Sequence, residues 1–353
     1  MVAVSGRQLS IRGLIFWGSV AFWIGNTILH TGSAGITALW SSLLFLAEMV
    51  AITSATRTIR LDQLATFYAW GGVMMSVVWL VDYGFTILQP NGHAVSRNLF
   101  TPFWEESMKL APVLFFLWRQ RLARLWTMGA SDILLLAAAS GAGFGLVEDA
   151  YIQHHFGTWH AVSWSPTTAI LGTGLTVGHQ IWTSLAGATL GLALLWRPRK
   201  PFVYLLGASG FLWSMLDHFR NNISVGRSGF IIDFLNFIAG HGWMSLYFFW
   251  IALIVVLAAD LNVIRRGLPP RPELKTPVAG LLSFSHGASS TWKFLLTKRA
   301  LAFLGVHYKQ ESPSVRRGKL DPILYRLAFT IIALRNKIKS SLHVPLQPSP
   351  NSS

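Results

Sequence analysis

Apolar residues run along this chain in blocks, at approximately residues 12–30, 33–54, 64–88, 100–118, 132–153, 170–196, 201–220 and 242–264. About twenty residues of α-helix, rising 1.5 Å each, cross a hydrocarbon core of roughly 30 Å. The pattern therefore predicts an all-α, polytopic transmembrane bundle of about eight helices. Alternate connections then fall on alternate sides of the membrane. One side holds Arg7, Arg12, Arg57, Arg60, Arg119, Arg121, Arg124, Arg197, Arg199, Lys200, Arg265 and Arg266, and the other only Arg97, Arg220 and Arg227. Cytoplasmic loops carry the basic excess, so both termini are expected inside. The first block lacks a small-residue cleavage site and reads as an uncleaved signal anchor.

The pattern divides the chain into a bundle over residues 1–264 and a basic cytosolic tail over 265–353. Arg265–Pro277 holds four prolines and reads as a linker. Beyond it, Trp292–Val306 and Pro322–Lys339 mix apolar and basic residues. In the second, Leu324, Leu327, Ile331, Leu334 and Ile338 recur at helical spacing. Such a helix suits an anionic leaflet or packs, with its neighbour, on the cytosolic face of the bundle. The final stretch, Pro345–Ser353, reads as disordered.

Composition supports the membrane reading. The chain is 52% hydrophobic and 12% charged, against roughly a quarter charged in soluble domains. With no cysteine, disulfides, thiolate zinc sites and cysteine nucleophiles are excluded. The net charge of +15 lies largely in the tail, which carries fifteen Lys/Arg against three Asp/Glu. No nucleic-acid motif accompanies it, and no nucleic-acid partner is expected.

Ionisable residues inside membrane helices cost several kcal/mol and mark function. Block four contains Glu105, Glu106 and Lys109, block five ends with Glu148 and Asp149, block six contains His179, and block seven ends with Asp217, His218 and Asn222. In the topology above, Glu105 and Glu106 lie in the outer turns of their helix. Glu148 and His218 lie about 25 Å along theirs. Block six is too long for one crossing, and a helix starting near Gly172 puts His179 in the outer half too. Four helices thus deliver ionisable groups to one level. Glu105 and Lys109 have the i, i+4 spacing of a helical ion pair, so the lysine holds one carboxylate while the other faces a cavity. Carboxylates and histidines converging beside water suit hydrolysis in either of two ways. Two His and one Glu hold zinc or another divalent metal with a second Glu as base, or a Glu pair shares acid and base roles. The same groups could build a proton- or ion-coupled transporter, or serve a lipid-directed hydrolase. A transporter usually shows repeated halves and sites at the midplane, and this chain has no repeat.

EExxK at Glu105, Glu106 and Lys109, GFxxxE at Gly143, Phe144 and Glu148, the isolated His179 and HxxxN at His218 and Asn222 together resemble the PrsW family. These are intramembrane proteases related to the CAAX prenyl protease group. The resemblance covers about residues 100–225 and implies that Glu105, Glu106, Glu148, His179 and His218 are catalytic, supported by Lys109, Asp149 and Asn222. It implies a multi-pass protein of a prokaryotic cytoplasmic membrane. Its partner would be a single-pass membrane protein, cut on the outer side as in the first cleavage of an anti-sigma factor. Asp149 departs from the family, where Asn is expected.

Overall fold

One helix, Ala130–Phe156, is buried along its whole length from Ala130 to Val147, and the other elements are arranged around it. The computed structural model describes residues 11–88, 93–120, 127–156, 178–196, 202–224, 229–267, 287–310 and 321–342. Its α-helices are α1 (Ile11–Thr31), α2 (Ser33–Ile52), α3 (Leu61–Leu88), α4 (His93–Arg119), α5 (Ala130–Phe156), α6 (His179–Trp196), α7 (Phe202–Ser224), α8 (Phe230–Ile238), α9 (Trp243–Gly267), α10 (Gly287–Gln310) and α11 (Asp321–Leu342). No strand occurs among the described residues. The proline-rich linker beyond Gly267 and the final stretch Pro345–Ser353 lie outside them.

The central position of α5 follows from its small residues. A Cβ on Gly143 would stand 1.8 Å from the Tyr68 carbonyl oxygen of α3, and one on Gly71 of α3 would stand 1.9 Å from that of Ser140. Backbone therefore meets backbone where α3 crosses α5, as small residues permit in membrane bundles. On the opposite side, Gly187 of α6 packs against Ala137. The N-terminus of α5 is capped from elsewhere in the chain. Asp260 of α9 accepts from the amides of Ala130 (2.9 Å) and Ser131 (2.8 Å), while Asp132 accepts from Thr58, Ile59 and Gly129 amides. Asp260 thereby satisfies orphan N–H groups at the positive end of the helix dipole, while Asp132, on α5 itself, ties the chain before α3 to this end.

This is a polytopic membrane helix bundle. Ser33–Ala55, Leu61–Phe85, Ala130–His155 and Gly240–Gly267 are long and apolar enough to cross a bilayer. The other expected spans are less apolar or shorter for a reason. α4 and α7 carry Glu105, Glu106, Lys109, Asp217, His218 and Arg220, and α6 has only 18 residues. Gly178 stands outside α6, with its carbonyl accepting from the amides of Ile181 and Trp182. The helix thus begins at His179 itself, and Gly172 lies outside the described residues.

The two tail helices pair with one another. Leu324, Leu327, Ile331 and Leu334 pack against Phe294, Leu295 and Leu301 of α10, so this part of the stripe is covered; the Ile338 side chain lies outside what the structure describes. α10 in turn docks on the bundle. Gly267 of α9 closely approaches the Ala302 backbone, and Arg299 donates to the carbonyls of Ser54 (2.6 Å) and Arg57 (3.1 Å). Arg57 donates to the Ile59 carbonyl and lies over the Trp292 ring at 4.6 Å. Burial, reinforced by the neighbouring Arg57 charge, pushes the Arg299 guanidinium down to about 10.

Candidate functional site

α4, α5, α6 and α7 run alternately up and down, so the middle of α4 and the first turn of α6 meet the C-terminal halves of α5 and α7; α4 starts at His93, which puts Glu105 and Glu106 at its centre rather than in its outer turns. Glu105, Glu106 and Lys109 come from α4, Glu148 from α5, His179 from the first residue of α6 and His218 from α7. All but Glu148 are buried, and the Glu148 side chain is 15% exposed. Ser140 of α5 fixes the α4 backbone at this level by donating to the Lys109 carbonyl at 2.6 Å.

Lys109 is the hub. Its Nζ lies 2.6 Å from Oε1 of Glu106, 2.5 Å from Nδ1 of His179 and 3.8 Å from Oε2 of Glu105. It also sits 4.7 Å from the centre of the Phe144 ring, a cation–π contact. The i, i+4 spacing suggested Glu105 as its main partner. The i+3 carboxylate of Glu106 takes that place because it is also drawn in by His218, whose Nδ1 lies 2.8 Å from the same Oε1. One oxygen of Glu106, Oε1, thus takes both contacts.

The remaining polar atoms face one another. Oε2 of Glu105 is 3.4 Å from Nε2 of His218, and Oε2 of Glu148 is 2.9 Å from Nε2 of His179. Neither oxygen has a hydrogen-bond partner despite being buried. The Glu148 contact is close, but its angle is not that of a hydrogen bond, so the Nε2 direction of His179 is not spent on it. Buried carboxylate oxygens are rarely left so, and an ion is one of the few things that completes them. Ligand atoms of Glu105, His179 and His218 lie within 4.8 Å of one another. Ligands of one tetrahedral zinc stand roughly 3.3 Å apart, close to the Glu105–His218 separation. Nδ1 of His218 is held by the Glu106 carboxylate, as in a ligating histidine whose outer partner accepts its N–H, whereas Nδ1 of His179 faces the Lys109 ammonium. The donor set therefore fits a divalent metal.

Every residue singled out by type and spacing is accounted for. Glu105, Glu106, Lys109, Glu148, His179 and His218 come together. Asp149 is half-buried beside Glu148, and Asn222 lies half-buried one turn beyond His218. Asp217 does not touch a histidine. It accepts from the indole of Trp182 at 2.9 Å, and that indole stacks on His218 with ring centres 4.5 Å apart and planes at 17°. Trp182 was not singled out from the sequence. The one signal was its position at i+3 from His179, on the same helical face.

Residues 60–258, more than half the chain, match the sequence model described as PrsW family intramembrane metalloprotease. The span includes every residue of the cluster. No curated protein and no solved structure matches the chain.

Proposed function

This chain belongs to the PrsW family of intramembrane metalloproteases, and we propose that it cuts a single-pass membrane protein near the extracytoplasmic face. Glu105, His179 and His218 would hold the metal, and Glu148 would move the protons. The observation that carries this reading is the pair of orphaned oxygens, on Glu105 and Glu148, facing the Nε2 atoms of two histidines in a buried cluster. A zinc or similar ion bound there supplies Lewis-acid polarisation of the scissile carbonyl.

The chain's own residues do the rest. Glu106 accepts the Nδ1–H of His218, which leaves the Nε2 lone pair directed into the site. Lys109 lies against Nδ1 of His179 and fixes the orientation of that ring, whose Nε2 would face the metal. Glu148 is the most exposed of the three carboxylates and has an oxygen free. It takes a proton from the attacking water and returns it to the departing amine nitrogen. Lys109 balances the negative charge of the cluster without being spent in the reaction.

The basic-residue asymmetry of the connections puts this end of the bundle outside, in an arrangement of eight spans with both termini in the cytoplasm. A membrane helix satisfies its own backbone hydrogen bonds, so its centre is a poor substrate. The cut therefore falls in the juxtamembrane or outer third of the substrate, where the chain can unwind beside water. The test is metal analysis of purified protein beside cleavage of a single-pass protein, with product termini mapped by mass spectrometry. Glu105→Ala, His179→Ala and His218→Ala should lose metal and activity together, whereas Glu148→Gln should keep the metal and lose cleavage. Metal retained in all three ligand variants, or a cut on the cytoplasmic side, would refute it.

A further inference from the structure

Glu106 fixes one nitrogen of His218, but a ring held at one nitrogen can still rock out of its plane. The parallel indole of Trp182 blocks that motion from one face. An indole is itself free to turn unless its N–H is held, and here it donates to Oδ2 of Asp217. Asp217 is in turn locked on every side. Ser245 of α9 donates to the same oxygen, Nε of Arg220 donates to Oδ1 at 2.7 Å, and Nη1 of Arg220 donates to Asn236 of α8 at 3.1 Å. Trp182, Asp217, Arg220 and Ser245 are all buried. Asp217 precedes His218 in the chain, and successive residues on a helix point about 100° apart, so it reaches the imidazole only through Trp182.

We propose that Trp182, held by Asp217, is a positioning residue that sets the plane of the His218 imidazole and so the direction of its Nε2 lone pair. The link runs from α8 and α9 through Asp217 to the ring, and it uses a carboxylate that the hydrolytic chemistry does not. A buried ion pair of Asp217 with Arg220 would suffice for packing alone. The additional donors from Trp182 and Ser245 converge on the oxygen nearest the indole, which packing does not require. The consequence for metal binding rests on the reading of His218 as a ligand given above.

The experiment uses the full-length protein in detergent, with Co²⁺ affinity measured by chelator competition. Trp182→Phe keeps an aromatic face but loses the N–H, Trp182→Leu loses the face, and Asp217→Ala loses the anchor. Each should weaken Co²⁺ binding by about 10–100-fold, the usual effect of losing an outer partner. The Trp182→Phe/Asp217→Ala double variant should bind no worse than the weaker single variant, because both remove one link. Asp260→Ala, at the far end of α5, should lower thermal stability with Co²⁺ affinity unchanged. Affinities at the wild-type level in the three single variants, or losses that multiply in the double, would overturn the proposal. A second readout needs no metal. The Trp182 ring current should shift the His218 ring resonances in histidine-labelled protein, and Asp217→Ala should move them as Trp182→Phe does. If wild-type protein takes up no Co²⁺, the metal-site reading fails while this shift still decides the positioning role: resonances unmoved by Asp217→Ala refute it.

Discussion

Replacing Lys109 by methionine keeps most of the side-chain volume and removes the one cation among the described residues that touches the Glu105–Glu106 pair. The ammonium is fully buried, with Glu106 at 2.6 Å, His179 at 2.5 Å and Glu105 at 3.8 Å. Breaking a buried ion pair by deleting one partner typically costs about 3–5 kcal/mol, because the other charge is left uncompensated. That is a large share of a typical folding free energy of about 5–15 kcal/mol. The pair reading further requires coupling. In Lys109→Met/Glu106→Gln the stranded charge is gone, so the double variant should be more stable than the sum of the two single losses by roughly 1–3 kcal/mol. Denaturation of purified protein in mixed micelles measures all four corners of the cycle. Lys109→Met and the double variant should both fall short of wild-type cleavage, since His179 loses its Nδ1 partner in each. Losses that add to within about 0.5 kcal/mol would show that Lys109 and Glu106 act independently, and the hub assignment would be wrong.

Gly143→Ala should reduce both stability and activity, since its Cβ would lie 1.8 Å from the Tyr68 oxygen and must push α3 and α5 apart just below Glu148. A displacement near 1 Å can cost about 10²-fold in rate, and full activity of the purified variant would contradict the close crossing. Arg299→Ala removes two hydrogen bonds between α10 and the bundle. It should expose the tail to limited proteolysis while leaving the thermal midpoint of the bundle nearly unchanged. Reporter fusions after residues 58, 122, 198 and 270 should read cytoplasm and those after 92 and 158 the outside; a cytoplasmic signal at 158 inverts the assigned face. Asp149→Asn, which restores the residue expected of the family, should leave cleavage within a few-fold of wild type.

The chemistry of the site was legible because ionisable groups are so costly in apolar helices that their presence alone marks them. Glu105, Glu106, Glu148, His179 and His218 stood out on that ground, and the alternation of helix direction brought them to one end. What the chain could not reveal was decided between helices. Both Glu105 and Glu106 are within helical reach of Lys109, and only the approach of His218 from α7 selects Glu106. The start of α6 at His179 depends on local backbone that no strong breaker announces, apart from Gly178. Trp182 looked like one more of the chain's 16 tryptophans, and its role depends on Asp217 reaching it from another helix. The stripe on α11 had the spacing of a lipid-facing surface, but a stripe of that kind is equally satisfied by a partner helix, and α10 supplies one.

Because α5 is enclosed from Ala130 to Val147, it presents no surface where substitution is neutral. A helix with a lipid side can drift there, exchanging one apolar residue for another with little effect. α5 has neighbours on every side, and against α3 the neighbour is backbone, which cannot repack. The run of alanine, serine and glycine from Ala137 to Gly143 is therefore less a hydrophobic signal than a record of steric limits. Substitutions that the fold tolerates are therefore expected in the outer helices and the tail, and few along α5 between Ala130 and Val147.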